Sequence, residues 1–323
     1  MIIVNRFLEY LLTFIIIISL NFFLPRALPG DPLIQLTADT YDGVLKMTEE
    51  QRIYFRDYYN LNLPMHEQYF HYLRNLLRLD LGKSIIYNMP VAEIILKKLH
   101  WTSFLVLSSI FITTIFGSIL GAISAYFRNR PLDRVIYTKM IVLSEIPAFI
   151  LGLIFLFVFA ARLKLFPLYG AYSYYHDHLN TFQHFKDIIH HAVLPVISLS
   201  MARIGSIYFL ARNSVVSVMG KKYITTATAK GLTKQRIIVK HALRNAMLPV
   251  VTRVFLSIGA LIGGTILVEN VFAYPGLGML MQEAVSTRDY PLIQGIFLIV
   301  TLLTLSANLI ADLVYKKLDP RFS

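Results

Sequence analysis

WTSFLVLSSIFITTIFGSILGAISAYF, Trp101 to Phe127, runs without one charged side chain. A helix needs about 20 mostly apolar residues to cross the hydrocarbon core of a bilayer, and this stretch supplies them uninterrupted. Working outward, Pro291–Ala311 is equally clean and is closed by Asp312. Four further blocks carry one or two charges each. Phe7–Leu24 holds Glu9, Val135–Ala160 holds Lys139 and Glu145, Ala192–Ala211 holds Arg203, and Pro249–Val268 holds Arg253. The expected fold is therefore an all-α integral membrane protein with about six transmembrane helices. Composition agrees, because 15% of the 323 residues are charged, 56% are hydrophobic and the mean hydropathy is +0.58. An ordinary soluble domain carries roughly 25% charge.

The first block exceeds the roughly 7–15-residue apolar core of a secretory signal, and Pro25-Arg26-Ala27-Leu28 offers no small-x-small cleavage site, so the span is expected to be retained. The chain has no cysteine, which excludes disulfides, thiolate metal sites and cysteine nucleophiles. The net charge of +12 is concentrated. Arg212–Ala246 holds eight lysines and arginines and no acid, Arg128–Arg134 holds three arginines against Asp133, and Lys316, Lys317 and Arg321 crowd the tail against Asp319. By contrast, Arg26–His100 balances nine basic residues with nine acidic ones. Basic loops stay on the cytoplasmic side, so both termini are expected there and residues 26–100 form a small external cap. Within the cap, Thr48-Glu49-Glu50-Gln51 reads as a helix start, and Gln68–Leu79 carries a second helical pattern. Gly117 with Gly121, and Gly259 with Gly263, have the spacing that lets membrane helices approach closely, expected here mainly within the subunit.

Between the fourth and fifth spans lies KKYITTATAKGLTKQRIIVKHALRNA, Lys221–Ala246. It reads as a short helix ended by Gly231, followed by a second helix with Thr233 as N-cap. Arg236, Lys240 and Arg244 recur every four residues on that second helix. Like charges so spaced cost a few tenths of a kcal/mol per pair. Two compensating partners fit: anionic lipid headgroups, or an acidic groove on a soluble protein.

Ala227-x-Ala229-Lys230-Gly231 followed by His241-Ala242-Leu243-Arg244-Asn245-Ala246 resembles the "EAA" loop of ATP-binding-cassette (ABC) importer permeases. Further stretches resemble the same family in order: Leu28-Pro29-Gly30-Asp31-Pro32, Asp80-Leu81-Gly82-x-Ser84, Val268-Glu269 through Gly278, Arg288-Asp289-Tyr290-Pro291 with Gln294, and Leu318-Asp319-Pro320-Arg321. Together they look like the B-type permease of the oligopeptide, dipeptide and nickel importers. Thr225 stands where the general motif has glutamate, and Arg244 stands where it has proline after Leu243.

The resemblance implies a layout of an N-terminal transmembrane helix (1–25), the external cap (26–100), a permease domain (101–315) and a cytoplasmic tail (316–323). Within the permease domain, residues 212–248 would be the coupling loop that docks on the ATPase, with Thr225, Ala227, Ala229, Lys230, Gly231, His241, Leu243, Arg244 and Asn245 as its signature. Half of a translocation pathway for peptides, nickel or metal chelates is implied, in a multi-pass protein of the bacterial cytoplasmic (inner) membrane. The implied partners are a second homologous permease, two cytoplasmic ATPase subunits that use ATP-Mg, an extracytoplasmic substrate-binding protein and membrane lipid, with no nucleic acid. No Walker A pattern occurs in the chain, so no nucleotide cofactor is expected on it by that route and the subunit is not itself an enzyme.

Charges inside spans are costly and default to functional candidates. Glu145, about ten residues into its span, Arg203 and Glu269 are the candidate pathway residues. Glu145 could meet a cationic substrate group where Pro147 opens the helix, or pair structurally with Arg203 or Lys139. Glu269, inside a family motif near an outer end, suits a gate or structural part better than substrate contact, and Arg253 is expected to snorkel to the cytoplasmic side. The second external loop is rich in histidine (His176, His178, His184, His190, His191), a residue type that suits nickel. A solvated loop rich in aromatic residues (Tyr172, Tyr174, Tyr175) at the membrane interface is the reading preferred over metal contact. A secondary carrier or channel without ATP coupling is the alternative class, but it predicts inverted repeats, and none is visible. A membrane enzyme would need a constellation such as G-x-S-x-G or H-E-x-x-H, and neither occurs.

Overall fold

A computed structural model describes residues 2–27, 49–173, 180–237 and 242–318, and among these residues the regular structure is helical with no β-strand. Thr48, the 28–32 motif, His176, His178, His241 and the tail from Asp319 lie outside the described residues. The chain divides into two compact units, Met1–His100 with Met279–Leu303, and Trp101–Gly278 with Thr304–Ser323.

In the first unit, helix α1 (Ile2–Ala27) is followed by α2 (Glu49–Tyr58) and α3 (Met65–Leu77). The two cap helices stand where the sequence placed them, although α3 starts three residues earlier than expected, directly after Pro64. Phe22 of α1 is fully buried, with its ring 5.2 Å from that of Tyr69 and 5.5 Å from that of Tyr72 on α3. Ser19 shares a 2.7 Å hydrogen bond with the Tyr69 hydroxyl. Arg26 donates to Gln68 Oε1 at 3.0 Å while its guanidinium covers the Phe22 ring at 3.8 Å. Each aromatic pair adds roughly 0.5–1.5 kcal/mol beyond its area, so α3 is clasped onto the end of α1. A polar turn with an antiparallel bridge between Lys83 and Pro90 leads into α4 (Val91–Tyr126).

The second unit holds most of α4 and then a broken span. Helix α5 (Pro131–Glu145) and α6 (Ala148–Phe155), which continues as a π-helical turn through Arg162, meet at 97°. The cause is local. Pro147 lacks an N–H and forces the residue before it out of the helical region, and Ile146 has φ −88° and ψ 119°. Helix α7 (Thr181–Met219) packs against α5, α6 and α10 (Leu243–Gly264). Its start is a complete capping box, in which Asn180 Oδ1 accepts from the Gln183 N–H and Gln183 Oε1 accepts from the Asn180 N–H. Between α7 and α10 stand α8 (Lys222–Ala229) and the short α9 (Lys234–Arg236); α11 (Ile266–Val271), α12 (Leu277–Thr287) and α13 (Tyr290–Leu318) follow. Gly117 and Gly121 do serve packing within the subunit: a Cβ on Gly117 would lie 2.9 Å from Ile207, and one on Gly121 would lie 2.8 Å from Ala211.

All six apolar blocks fall in helices, but not as six straight spans. Among the described residues four helices are long and apolar enough to cross a membrane, or five when the bent α5–α6 pair counts as one span. In α10 the apolar stretch Asn245–Ile258 is shorter, and the block Pro249–Val268, which overlaps it, breaks at Thr265, just before α11. Helix α7 also corrects the loop boundaries at both ends. It starts eleven residues before Ala192, so His184, His190 and His191 are helical, and it runs past Arg212, which is not a loop residue.

Candidate functional site

The segment after α7 has two unlike faces. Ile224 and Ala227, three apart on α8, are buried in a small cluster with Ile237 and Ala242, against Val218, Met219 and Leu232. The other face of α8 is exposed: Lys222, Tyr223, Thr225, Thr226, Ala229 and Lys230. At its end the Gly231 N–H donates to Thr228 O at 2.9 Å and the Leu232 N–H donates to Ala227 O at 3.4 Å. That pair of bonds is a Schellman closure, which needs a left-handed residue, and Gly231 has φ +76°. A Cβ there would meet nothing within 4 Å, so the requirement is conformational and not spatial. Thr233 then caps the next turn, accepting from the Arg236 N–H through Oγ1 at 3.4 Å, as the sequence predicts.

Asn245 at the start of α10 donates to the Tyr223 hydroxyl at 3.0 Å, which brings the two halves of the signature together. Leu243 is half-buried against Ala125, Val215 and Ala246. Lys221, Lys222, Lys230 and Arg236 are all exposed, and the segment contains no acid. The expected stacking of Arg236, Lys240 and Arg244 passes through residues 238–241, outside the described residues.

The pathway candidates separate. Glu145 is not in mid-helix; it is the last residue of α5, exposed at the break, and among the described residues it pairs with neither Arg203 nor Lys139. Arg203 lines a cavity of about 360 Å³ formed by α4, α5, α7 and α10. Arg253, which is exposed, lines the same cavity. Gly264 leaves room for the Arg203 side chain, since a Cβ there would lie 2.9 Å from Nη2.

Glu269 is wholly buried and is held by hydrogen bonds within its own subunit. Its Oε1 accepts from Thr102 Oγ1 at 2.7 Å and its Oε2 accepts from the Gly278 N–H at 2.6 Å, while the Leu277 N–H donates to the same threonine oxygen at 2.7 Å. Gly276 lies against the carboxylate, with no space for a Cβ. This carboxylate holds the turn into α12 in shape. Beside it Tyr274 is fully buried, and burial together with the Glu269 charge pushes its hydroxyl up.

Asp289, which the sequence offered only as part of a motif, does the same work in the first unit. It is fully buried and accepts from Ser84 Oγ at 2.5 Å, the Ile86 N–H at 3.2 Å and the Leu292 N–H at 3.1 Å. The Asp80–Ser84 and Arg288–Pro291 motifs are thus two halves of one joint. The cap also encloses a cavity of about 350 Å³ that Arg26, Tyr72 and Gln294 help to line. Burial pushes the Tyr72 hydroxyl up to about 12, so it stays protonated at neutral pH.

A third buried group also escaped sequence reasoning. Asp133, counted there as a loop charge, is 4% exposed and is gripped by Arg212 through two bonds of 3.0 and 2.8 Å. It also accepts from Ser124, whose oxygen lies 2.6 Å from the Tyr208 hydroxyl. The histidines show less. His190 Nε2 is 2.9 Å from Leu165 O, and His191 Nδ1 is 2.9 Å from Asp187 O. Among the described residues no group of three or more metal-ligating side chains converges.

Residues 117–323 match a family described as the binding-protein-dependent transport system inner membrane component. The glutathione transport system permease protein GsiC of Salmonella choleraesuis (strain SC-B67) is 34% identical over 318 residues, covering 98% of this chain and 97% of that protein. GsiC of Escherichia coli (strain K12) is 34% identical over 319 residues, with the same shares of both chains. A chain of the MetNI methionine ABC transporter in an inward-facing conformation aligns with a TM-score of 0.57 at 14% identity, covering 70% of this chain and 96% of that one. At that identity the likeness is one of fold.

Proposed function

The chain belongs to the binding-protein-dependent transport system inner membrane components and is the permease of an ABC importer in the bacterial inner membrane; from that premise we propose that α8 is the contact through which ATP hydrolysis on separate subunits drives the passage of short peptides. The observation that carries this reading is the division of α8. Ile224 and Ala227 anchor it to its own subunit, while an exposed face of threonines, Ala229 and Lys230 offers a docking surface ended by the Gly231 turn. The acid-free charge around it suits an acidic groove on an ATPase.

Two ATPase subunits that hold ATP-Mg, a second homologous permease and an extracytoplasmic binding protein complete the assembly. The basic segment and both termini face the cytoplasm, and the cap receives the binding protein. Closure of the ATPases on nucleotide pulls α8, and α7 and α10, which flank the segment, pass the motion to the spans. Short peptides are the cargo favoured here, because the curated relatives are named for glutathione, which is a tripeptide. Glu145, exposed at the α5–α6 break, borders the route. If Glu145→Gln leaves uptake and substrate preference unchanged, that last assignment is wrong.

The test is ATP hydrolysis by the assembled complex in lipid, with peptides and nickel chelates presented separately on their binding proteins. Peptides are expected to stimulate hydrolysis, and Gly231→Ala is expected to abolish stimulation while the complex still assembles. Stimulation by nickel chelates alone would replace the cargo, and failure of any ATPase to associate would remove the coupling reading.

A further inference from the structure

We infer that the later half of α3 and the turn after it lie on the membrane surface beside the Ala27 end of α1. Phe70, Leu77 and Leu79 enter the boundary between headgroups and acyl chains, and Arg74 and Arg78 meet anionic lipid headgroups. The three apolar side chains are 68%, 88% and 89% exposed. Phe70 and Leu77 are seven apart and so share one face of the helix. Exposed apolar groups gathered in one place mark a surface that something covers.

Leu79 is the strongest sign. Its N–H donates to Leu76 O at 2.9 Å, and the Asp80 N–H donates to Asn75 O at 3.0 Å. Leu79 therefore occupies the left-handed position of a Schellman closure, where glycine is the usual residue, and its φ is +58°. A leucine held there with its side chain exposed gains nothing in water. Against a bilayer it is an anchor, and the strained backbone serves to aim it.

What covers this surface follows from what adjoins it. Helix α1 is long and apolar enough to cross a membrane over Glu9–Ala27, and α3 is clasped to its last two turns. There Phe23, itself exposed, stacks on Tyr69 at 5.6 Å, and the Tyr69 ring lies 6.4 Å from that of Phe70. The exposed apolar surface of the span thus continues through Tyr69 onto α3, at the level where the span leaves the hydrocarbon.

Charge points the same way. Arg74 and Arg78 are exposed, and among the described residues neither is paired with an acid. The nearby acids stand at the two ends of the stretch. Glu67 is in the first turn of α3, and Asp80 Oδ1 accepts from the Gly82 N–H at 2.9 Å. An apolar strip bordered by aromatic rings and arginines is the composition of a helix that rests in the membrane interface.

The chain has no cysteine, so a nitroxide can be placed singly at Phe70→Cys, Leu77→Cys or Leu79→Cys, with Asn75→Cys on another face of α3 as the control. The complex is assembled in nanodiscs with cysteine-free partner subunits. Electron paramagnetic resonance then reads collisions with oxygen, which dissolves among acyl chains, and with a neutral nickel chelate, which stays in water. At 70, 77 and 79 oxygen collisions are expected to persist while nickel collisions are lost; at 75 nickel collisions are expected to persist.

Free collision with both reagents at 70, 77 and 79 means a surface in water and overturns the inference. Protection from both means that a protein covers the strip, and overturns it in favour of a subunit contact. The arginines are tested with the label at 79. Phosphatidylglycerol is expected to raise its oxygen collisions above those in phosphatidylcholine, and Arg74→Gln with Arg78→Gln is expected to erase the increment. An increment that is absent, or that survives the double change, overturns the headgroup contact.

Discussion

Asp133 and Lys230 both come from segments rich in positive charge, yet their surroundings are opposite. Asp133 is enclosed by Arg212, Ser124 and the Asn129 N–H, all from its own subunit. Lys230 stands exposed on a segment without a single acid. The first charge is answered inside the chain and so builds the subunit. The second is answered by no acid of its own segment, and the coupling reading proposed above gives it to a partner. Charge density in the sequence does not distinguish these cases, but the partner of each charge does.

Four substitutions can break or sharpen that contrast. The largest effect is expected from Asp133→Ala, which leaves the half-buried Arg212 without its carboxylate and costs about 3 kcal/mol; thermal unfolding of purified protein should show it, and an unshifted transition would remove the distinction. Glu269→Gln comes next, at about 2 kcal/mol for weakening two charge-assisted bonds around the Thr102–Gly278 turn. The same melting experiment reads it, with ATPase association retained. Gly231→Ala should cost about 1 kcal/mol, because a side chain disfavours φ +76° while the space around it is open. Its signature is lost stimulation of ATP hydrolysis in a folded complex. Smallest in stability is the double change Lys222→Glu with Lys230→Glu, expected to leave the melting temperature alone and to weaken co-purification of the ATPase. A double variant that melted early would move these lysines to the interior side of the contrast.

The sequence made the spans legible because a bilayer imposes a length and an apolarity that a plain reading of charges detects. It also made the Gly231 turn and the Thr233 cap legible, since both depend on residues within five positions of each other. Joints between distant residues were not legible. Ser84 and Asp289 are 205 positions apart, and nothing in either motif says that it closes on the other. That Arg253 and Arg203 line one cavity was not legible for a related reason, since the facing of two helices decides it. The break at Ile146-Pro147 was foreseen as an opening of the helix, but its 97° angle depends on how α5 and α6 each pack against α7.

Helix α7 has 39 residues, and at 1.5 Å per residue it is a beam about 58 Å long, nearly twice the thickness of the hydrocarbon core. It ends at Met219, with two residues between it and the start of α8. A beam of that length amplifies: a tilt of about 5° moves its far end by about 5 Å, close to one helical pitch. A small rotation at the Met219 end is therefore a displacement of several ångströms at the Thr181 end, and Pro195, inside the beam, sets how much of that leverage is lost to bending.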